Sequence, residues 1–487
     1  MTAETEPTPG SPSPARPASG TPPVTPPVTR ILVVGGGHVG LTTALRLQRR
    51  LRPGDRAEVT VLEPKPYMTY QPFLAEAAAG SIDPRHVVVP LRRVLTGCRV
   101  VTGRLAGLDH DARRATVRAP APVGPGTVEF TLDYDLLVLA PGAVSRILPV
   151  PGLAAHGIGF RTVEEAVALR NHVLSQLDLA SSTRDAELRQ AALTFVFVGG
   201  GYAGTGALGE LEDMAGYALR HYPGLGPEDL RWVLVEAGAR ILPETDPDVG
   251  ERTLADLRDR NIDVRLRTRL ASVAPLDGAA AGGNGRAVGT FAVALDDGTR
   301  LTSRTLVWTA GVRPHPVLAA TGFPLDPRGF LRCDETLRVQ GAEDVWAAGD
   351  GAHVPDAARA DGGYCVPNAQ HAVHQAHVLA DNILARLRGR PPRPYRYALL
   401  GSISPLGVHK GVAQLRGRAL HGRWAWLLHR AVHLWRVPTF DRKARVLADW
   451  LLTGVLRREI VSLGSVESPR DGFLAAAGDA AFGPGDL

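Results

Sequence analysis

RILVVGGGHVGLTTALRL, residues 30–47, joins an apolar run to a glycine cluster and then to a segment with helical periodicity. Ile31, Leu32, Val33 and Val34 form the unbroken apolar run of a strand covered on both faces, as strands of parallel sheets are. Gly35-Gly36-Gly37-His38-Val39-Gly40 follows as GxGxxG, and Thr43, Leu45 and Leu47 continue as a helix. Gly35 permits the tight turn, Gly37 lets the backbone approach a pyrophosphate, and Gly40 lets helix and strand pack closely. The free N–H groups at the helix start then face the anion. The next strand, residues 58–62, ends in Glu63, whose carboxylate can accept both hydroxyls of a ribose.

The unit occurs twice. Residues 193–198 are a second apolar strand, Gly199-Gly200-Gly201-Tyr202-Ala203-Gly204 a second fingerprint, and residues 231–235 a strand ending in Glu236. Two bound dinucleotides follow, and with them an α/β chain of two Rossmann-like domains. A carboxylate at Glu236 would repel a 2′-phosphate, which favours NADH over NADPH at the second unit; Arg240 is the nearby group of opposite sign.

The rest of the composition narrows the class. With 487 residues, 44% hydrophobic and 21% charged, the chain reads as a globular protein of several domains. The net charge of +6 comes with neither zinc-finger spacing nor an RNA-binding aromatic signature, so a nucleic-acid partner is not expected. Cys98, Cys333 and Cys365 are odd in number and far apart, which leaves no disulfide framework and no CxxC, and fits a reducing compartment. Residues 1–29 hold nine prolines and almost no large apolar side chain, the composition of a disordered leader without a secretory signal. Nowhere do about 18 apolar residues run uninterrupted, so no membrane span is expected.

Residues 344–348 read as a short strand leading into Gly349-Asp350-Gly351, and Pro367-Asn368-Ala369-Gln370 opens a helix that runs to about residue 386. The stretch Val345-Trp346-Ala347-Ala348-Gly349-Asp350 resembles the second FAD motif of two-dinucleotide flavoproteins, in which the aspartate holds the ribityl chain. Thr309-Ala310-Gly311-Val312-Arg313-Pro314 is similar to the strand-to-loop return of that superfamily. Within it the resemblance narrows to the type II, or alternative, NADH:quinone oxidoreductases, from residue 30 to about residue 465. Three stretches carry it. Residues 67–80, YMTYQPFLAEAAAG, resemble the family's loop after the first nucleotide unit. Ala369-Gln370-His371-Ala372-Val373-His374-Gln375 is similar to its AQxAxQ quinone-site motif, and the third stretch is the basic, tryptophan-rich C-terminal segment.

The resemblance implies a glutathione-reductase-like pair of domains with FAD at Gly35, Gly37, Gly40, Glu63 and Asp350, closed by Ala369 and Gln370. NADH would lie on Gly199, Gly201, Gly204 and Glu236, and pass a hydride to FAD. Two electrons would then go to a membrane quinone, without proton pumping. Gly206 departs from the pattern: where the family usually reads Gly-Val-Glu, this chain has Gly204-Thr205-Gly206, and the missing carboxylate belongs near the nicotinamide and quinone sites. That departure keeps a second reading open, a membrane-associated FAD- and NADH-binding redox sensor with weak catalysis. A third is a soluble NADH-dependent reductase of a protein acceptor. Disulfide reductases need a cysteine pair beside the flavin, which this chain lacks.

The residues of the AQHAVHQ helix agree with a flavin and quinone site. Ala369, Ala372, Ala376 and Ala380 place small side chains on one side, where a flat ring can come close, and the helix start can stabilise negative charge. Gln370 and Gln375 can hydrogen-bond a carbonyl ligand. His371, His374 and His377 have the spacing of helix-borne metal ligands, but no cysteine or acidic cluster is expected to join them, and no metal is expected.

Between residues 423 and 458 stand eight Arg or Lys against two Asp, with Trp424, Trp426, Trp435 and Trp450. Basic and aromatic side chains suit an anionic membrane surface, here the cytoplasmic face of the cell membrane with the protein peripheral. The same tryptophans would also serve a dimer interface, and a homodimer is expected. The organisation is then a leader (1–29), a discontinuous FAD domain (30–152 and 305–385), an NAD domain (153–304), a membrane and dimer segment (386–465) and a tail (466–487). Pro391-Pro392-Arg393-Pro394 reads as a linker, and residues 277–286, rich in Gly and Ala, as a hairpin loop.

Overall fold

The computed structural model describes residues 28–121, 126–276, 289–358 and 362–462. The expected leader up to residue 27, the hairpin loop 277–286 and the tail 466–487 lie outside the described residues.

Two parallel sheets of one design carry the chain. The first runs in the order Val345–Ala347, Leu136–Leu139, Thr29–Val34, Ala57–Glu63, Arg99–Thr102. Ile31, Leu32, Val33 and Val34 at its centre are all buried, as an unbroken apolar run requires. The helices His38–Arg50 and Ala369–Leu387 pack together, and an antiparallel sheet of Arg104–Asp109, Arg114–Pro120 and Thr127–Asp133 completes the unit. The second sheet runs Ile158–Gly159, Thr305–Trp308, Thr194–Val198, Arg231–Val235, Asp263–Arg265, again all parallel. Its antiparallel companion is Leu270–Pro275, Phe291–Leu295 and Arg300–Ser303.

Because Val345–Ala347 pairs with Leu136–Leu139, the first sheet takes strands from both sides of the second unit. The boundary expected at residue 305 is corrected. Thr305–Trp308 is an inner strand of the second sheet, with Phe195 opposite Thr305 and Val198 opposite Trp308. Its four residues are buried there, so the apolar run belongs to that core. The chain crosses back only at Val312–Pro314, which pairs antiparallel with Ala143–Ser145.

The two fingerprints repeat in backbone detail. Gly35 and Gly199 hold φ of +104° and +116°, the left-handed region that glycine alone enters without strain. A Cβ on Gly40 would stand 1.7 Å from the Gly35 carbonyl oxygen, and one on Gly204 1.9 Å from that of Gly199. Only glycine allows each helix to start this close to its strand.

The C-terminal part differs from the helical segment expected. A three-stranded antiparallel sheet, Gly401–Pro405, Gly411–Leu415 and Arg418–His421, precedes the helices Gly422–Arg436 and Phe440–Leu456. The proline-rich linker is also fastened to the first domain. The Arg393 amide donates to Asn382 Oδ1 at 2.9 Å, and the buried Tyr395 places its hydroxyl 2.8 Å from His371 Nδ1. Among the described residues no helix is long and apolar enough to cross a membrane.

Candidate active site

At the end of the first fingerprint, the Gly36 amide donates to Glu63 Oε2 at 2.6 Å and the Lys65 amide to Oε1 at 3.1 Å. Burial pushes the Glu63 carboxyl up, and these two amides oppose the shift. The second fingerprint repeats the arrangement: the Gly200 and Gly238 amides each donate to Glu236, at 2.6 Å. Both acids therefore stand where their strand ends, each clamped to its own glycine loop. The Arg240 guanidinium donates to the carbonyls of Thr245 and Pro243 at 3.0 and 2.7 Å.

A cavity of about 530 Å³ follows the first fingerprint and is lined by Gly37, Glu63, Gly142, Asp350, Ala369 and Ala372. Gly37 has nothing within 4 Å of where its Cβ would be, so its backbone edge is open to a ligand. Asp350 reaches the same space and pairs with Arg161 Nη2 at 3.2 Å. The small-residue side of the Ala369–Leu387 helix divides its work. Ala369 and Ala372 face this cavity, whereas Ala376 packs against the His38–Arg50 helix, its carbonyl 3.5 Å from Thr43 Oγ1. Ala380 is buried. Asn368 caps the helix by accepting from the Gln370 amide at 2.7 Å.

A larger cavity of about 820 Å³ adjoins it. Tyr202, Ala203 and Gly206 line it from the second unit, and His38, Ala369 and Gln370 from the first. Gln370 sits in its wall with its side chain fixed at both ends: Nε2 donates to the Gly401 carbonyl at 2.6 Å, and Oε1 accepts from the Tyr397 hydroxyl at 3.2 Å. Gln375 is placed differently from the expectation. It is buried, it lines neither cavity, and its Oε1 accepts the Gly349 amide at 2.7 Å. It is thereby a support for the Gly349-Asp350 turn, because a helix residue one turn and a half past Gln370 no longer faces the same way. Lys410 pairs with Asp213 at 2.9 Å.

Sequence reasoning missed a buried cluster behind the cavity. Glu76 is buried, with Trp450 Nε1 at 2.8 Å, Arg430 Nη2 at 3.0 Å and His429 Nε2 at 3.4 Å. Burial would raise its carboxyl, but Arg430, His429 and Trp450 outweigh that and hold it ionised. Trp426 stacks on Arg430 at 3.9 Å, so two of the four C-terminal tryptophans, Trp426 and Trp450, serve this cluster rather than a surface. The quoted stretch 67–80 contained Glu76, but nothing in it foretold partners more than 350 residues away. The expectation that no acid or cysteine joins the helix histidines also needs amending. Ligand atoms of Asp356, Cys365 and His371 lie within 4.8 Å of one another, with His371 Nδ1 engaged by Tyr395 and Asp356 Oδ1 by the Ala358 amide.

Comparison with known proteins agrees with this geometry. The family profile described as "Pyridine nucleotide-disulphide oxidoreductase" matches residues 29–376. Despite that description, Cys98, Cys333 and Cys365 form no disulfide among the described residues. The chain is 30% identical over 429 residues to a demethylphylloquinone reductase of Synechocystis, covering 87% of this chain and 95% of the relative. It is 26% identical over 407 residues to a type II NADH:quinone oxidoreductase of Staphylococcus aureus, covering 83% and 94%. In fold it matches the NDH2 of Plasmodium falciparum solved in complex with NADH, with a TM-score of 0.77, 16% identity, and coverage of 89% of this chain and 99% of that one. The chain belongs to the pyridine nucleotide-disulphide oxidoreductase family, among the type II NADH:quinone oxidoreductases.

Proposed function

We propose that this protein oxidises NADH and reduces a membrane quinone, with FAD between them and no proton pumping. One observation carries the reading: a single cavity is lined by both nucleotide units and continues to Arg436 and Pro438, beside the exposed Trp435. The glycine-edged space with Glu63 and Asp350 fits FAD, which when bound supplies the two-electron step between donor and acceptor. Glu63 would hold the adenosine ribose and Asp350 the ribityl chain, while the start of the Ala369–Leu387 helix favours negative charge at the ring. NADH would lie along Gly199, Gly201 and Gly204 with its ribose on Glu236, and its nicotinamide near Gly206 and Tyr202. Gln370 would face the quinone. The residues position the reactants and exclude water, and no side-chain nucleophile or metal is needed.

Peripheral attachment to the cytoplasmic face of the cell membrane is part of the proposal, supported by the exposed apolar side chains of the last two helices. So is a homodimer that pools two such faces. The experiment is direct: record the flavin spectrum of the purified protein, add NADH, and follow bleaching and its reversal by a short-chain quinone. Bleaching that quinone reverses supports the oxidoreductase. A spectrum that stays bleached in the presence of quinone refutes it and favours a redox sensor. NADPH acting as the better reductant would overturn the assignment of Glu236.

A further inference from the structure

Quinone reduction consumes protons as well as electrons, and the large cavity carries an arrangement that answers this. On the wall formed by the Gly422–Arg436 helix, His433 Nδ1 lies 3.2 Å from the Tyr70 hydroxyl. His429, one turn earlier, sets its ring centroid 4.6 Å from that of His433, tilted by 57°, and reaches to 3.4 Å from Glu76. On the other side of Tyr70 stands His38, with ring centroids 5.9 Å apart. Tyr70, His433, His429 and His38 all line the cavity. Two ring nitrogens here, Nδ1 of His429 and Nε2 of His38, are buried without a hydrogen-bond partner. Such groups are costly unless a ligand or water engages them.

We propose that Tyr70 donates a proton to the quinone and that His433 reloads it. This rests on the quinone reductase reading above. The balance is NADH + H⁺ + quinone → NAD⁺ + quinol: two electrons and one proton come from NADH, and the second proton comes from solvent. The Tyr70 O–H bond breaks as an O–H bond forms on the quinone oxygen. The tyrosine oxygen then takes the proton from His433 Nδ1, and His433 takes one from water at Nε2. An imidazole can pass a proton by accepting at one nitrogen and releasing from the other. The groups packed around His433 are Arg436 and His429 on its own helix, His38 from the first fingerprint helix, and the Arg430–Glu76 pair behind. Burial, His429 and Arg436 hold its pKa well below the ordinary histidine value, so it does not trap the proton it passes.

The test separates electron from proton transfer. Tyr70→Phe removes only the hydroxyl from a buried ring, and His433→Gln removes the shuttle. Each is assayed in the FAD-loaded protein with a short-chain quinone and with ferricyanide, an acceptor that takes no proton. The ratio of quinone to ferricyanide turnover should fall about tenfold or more in both variants. The solvent deuterium effect on quinone turnover should change, while equilibrium binding of the quinone, followed by protein fluorescence, stays within about twofold. A Tyr70→Phe variant with an unchanged ratio from pH 5 to 9 overturns the proposal. If the unmodified protein reduces ferricyanide and never quinone, the function reading itself falls, and the two failures are distinct.

Discussion

Two glycines three residues apart on the Tyr202–Ala218 helix stand in different surroundings. A Cβ at Gly206 would meet Ser404 Oγ at 3.4 Å and the Pro405 carbonyl at 3.5 Å, ordinary contacts, whereas one at Gly209 would stand 2.8 Å from the Leu406 carbonyl. Gly206→Ala should therefore raise the melting free energy by up to about 1 kcal/mol through helix propensity. Gly209→Ala should lower it by about 1–3 kcal/mol, because the backbone of residue 406 has to shift. Denaturant titration of both variants checks the contrast. Since the Gly206 position is sterically tolerant, Gly206→Glu should enter the cavity with Ser404 as a donor and raise quinone turnover about tenfold, the worth of one charged hydrogen bond made in the transition state. Equal or lower turnover with FAD retained would show that the site works around glycine. Titration adds another residue-scale outcome. Burial holds His38 down to about 4, opposed by Asp350 and reinforced by Arg161. A base depressed in the folded state contributes stability that is complete above its unfolded value of about 6.5 and is lost as pH falls from there toward 4. The melting temperature should fall over that window, and less steeply in His38→Gln.

At the scale of elements, what was legible in the sequence is what local chemistry enforces. The strand, glycine turn, helix and terminal acid of each unit lie in one continuous stretch, 29–63 and 194–236, and answer to rules of close approach, so Gly35, Gly40, Gly199 and Gly204 could be assigned from spacing. The Thr305–Trp308 strand was misplaced because a short buried apolar run carries no mark of which sheet it joins. Gln375 was misjudged because its partner, the Gly349 amide, comes from a turn 26 residues earlier. The Glu76 cluster was invisible for the same reason: a carboxylate in an alanine-rich helix declares its burial only once Arg430 and Trp450 return to it from the C-terminus. That return has an energetic consequence. Glu76→Ala leaves the Arg430 charge buried beside Trp450, and should cost about 3–5 kcal/mol. A companion Arg430→Met in the same chain should recover part of it, which a double-mutant cycle in urea measures.

For the whole molecule, the C-terminal helices tie the nucleotide domains to an outward apolar face. Phe440–Leu456 turns Val446 and Trp450 inward, while Leu447, Leu451 and Val455 follow one another at four-residue intervals on the outside. Leu451 is 65% exposed and Val455 81%, as are Phe440 at the start of the same helix, at 84%, and Trp435 on the preceding helix, at 81%. An isolated exposed leucine needs no explanation, but a helical stripe of them beside exposed tryptophan and several arginines does. A lipid surface, as proposed above, would satisfy it, each basic side chain near an anionic surface adding about 1 kcal/mol to the apolar burial. Removing the whole C-terminal part is a poor test, because Glu76 would lose its partners and the first domain its support. Two surface substitutions isolate the question. Leu451→Glu with Val455→Glu should leave the folded protein and its turnover of a soluble short-chain quinone unaltered, since neither residue reaches the cavity. Flotation with vesicles containing anionic lipid should recover the unmodified protein and lose the double variant. If flotation persists while sedimentation shows a dimer becoming a monomer, the stripe is the subunit interface and attachment resides elsewhere. If neither property moves, the apolar stripe has no part in either attachment or dimerisation.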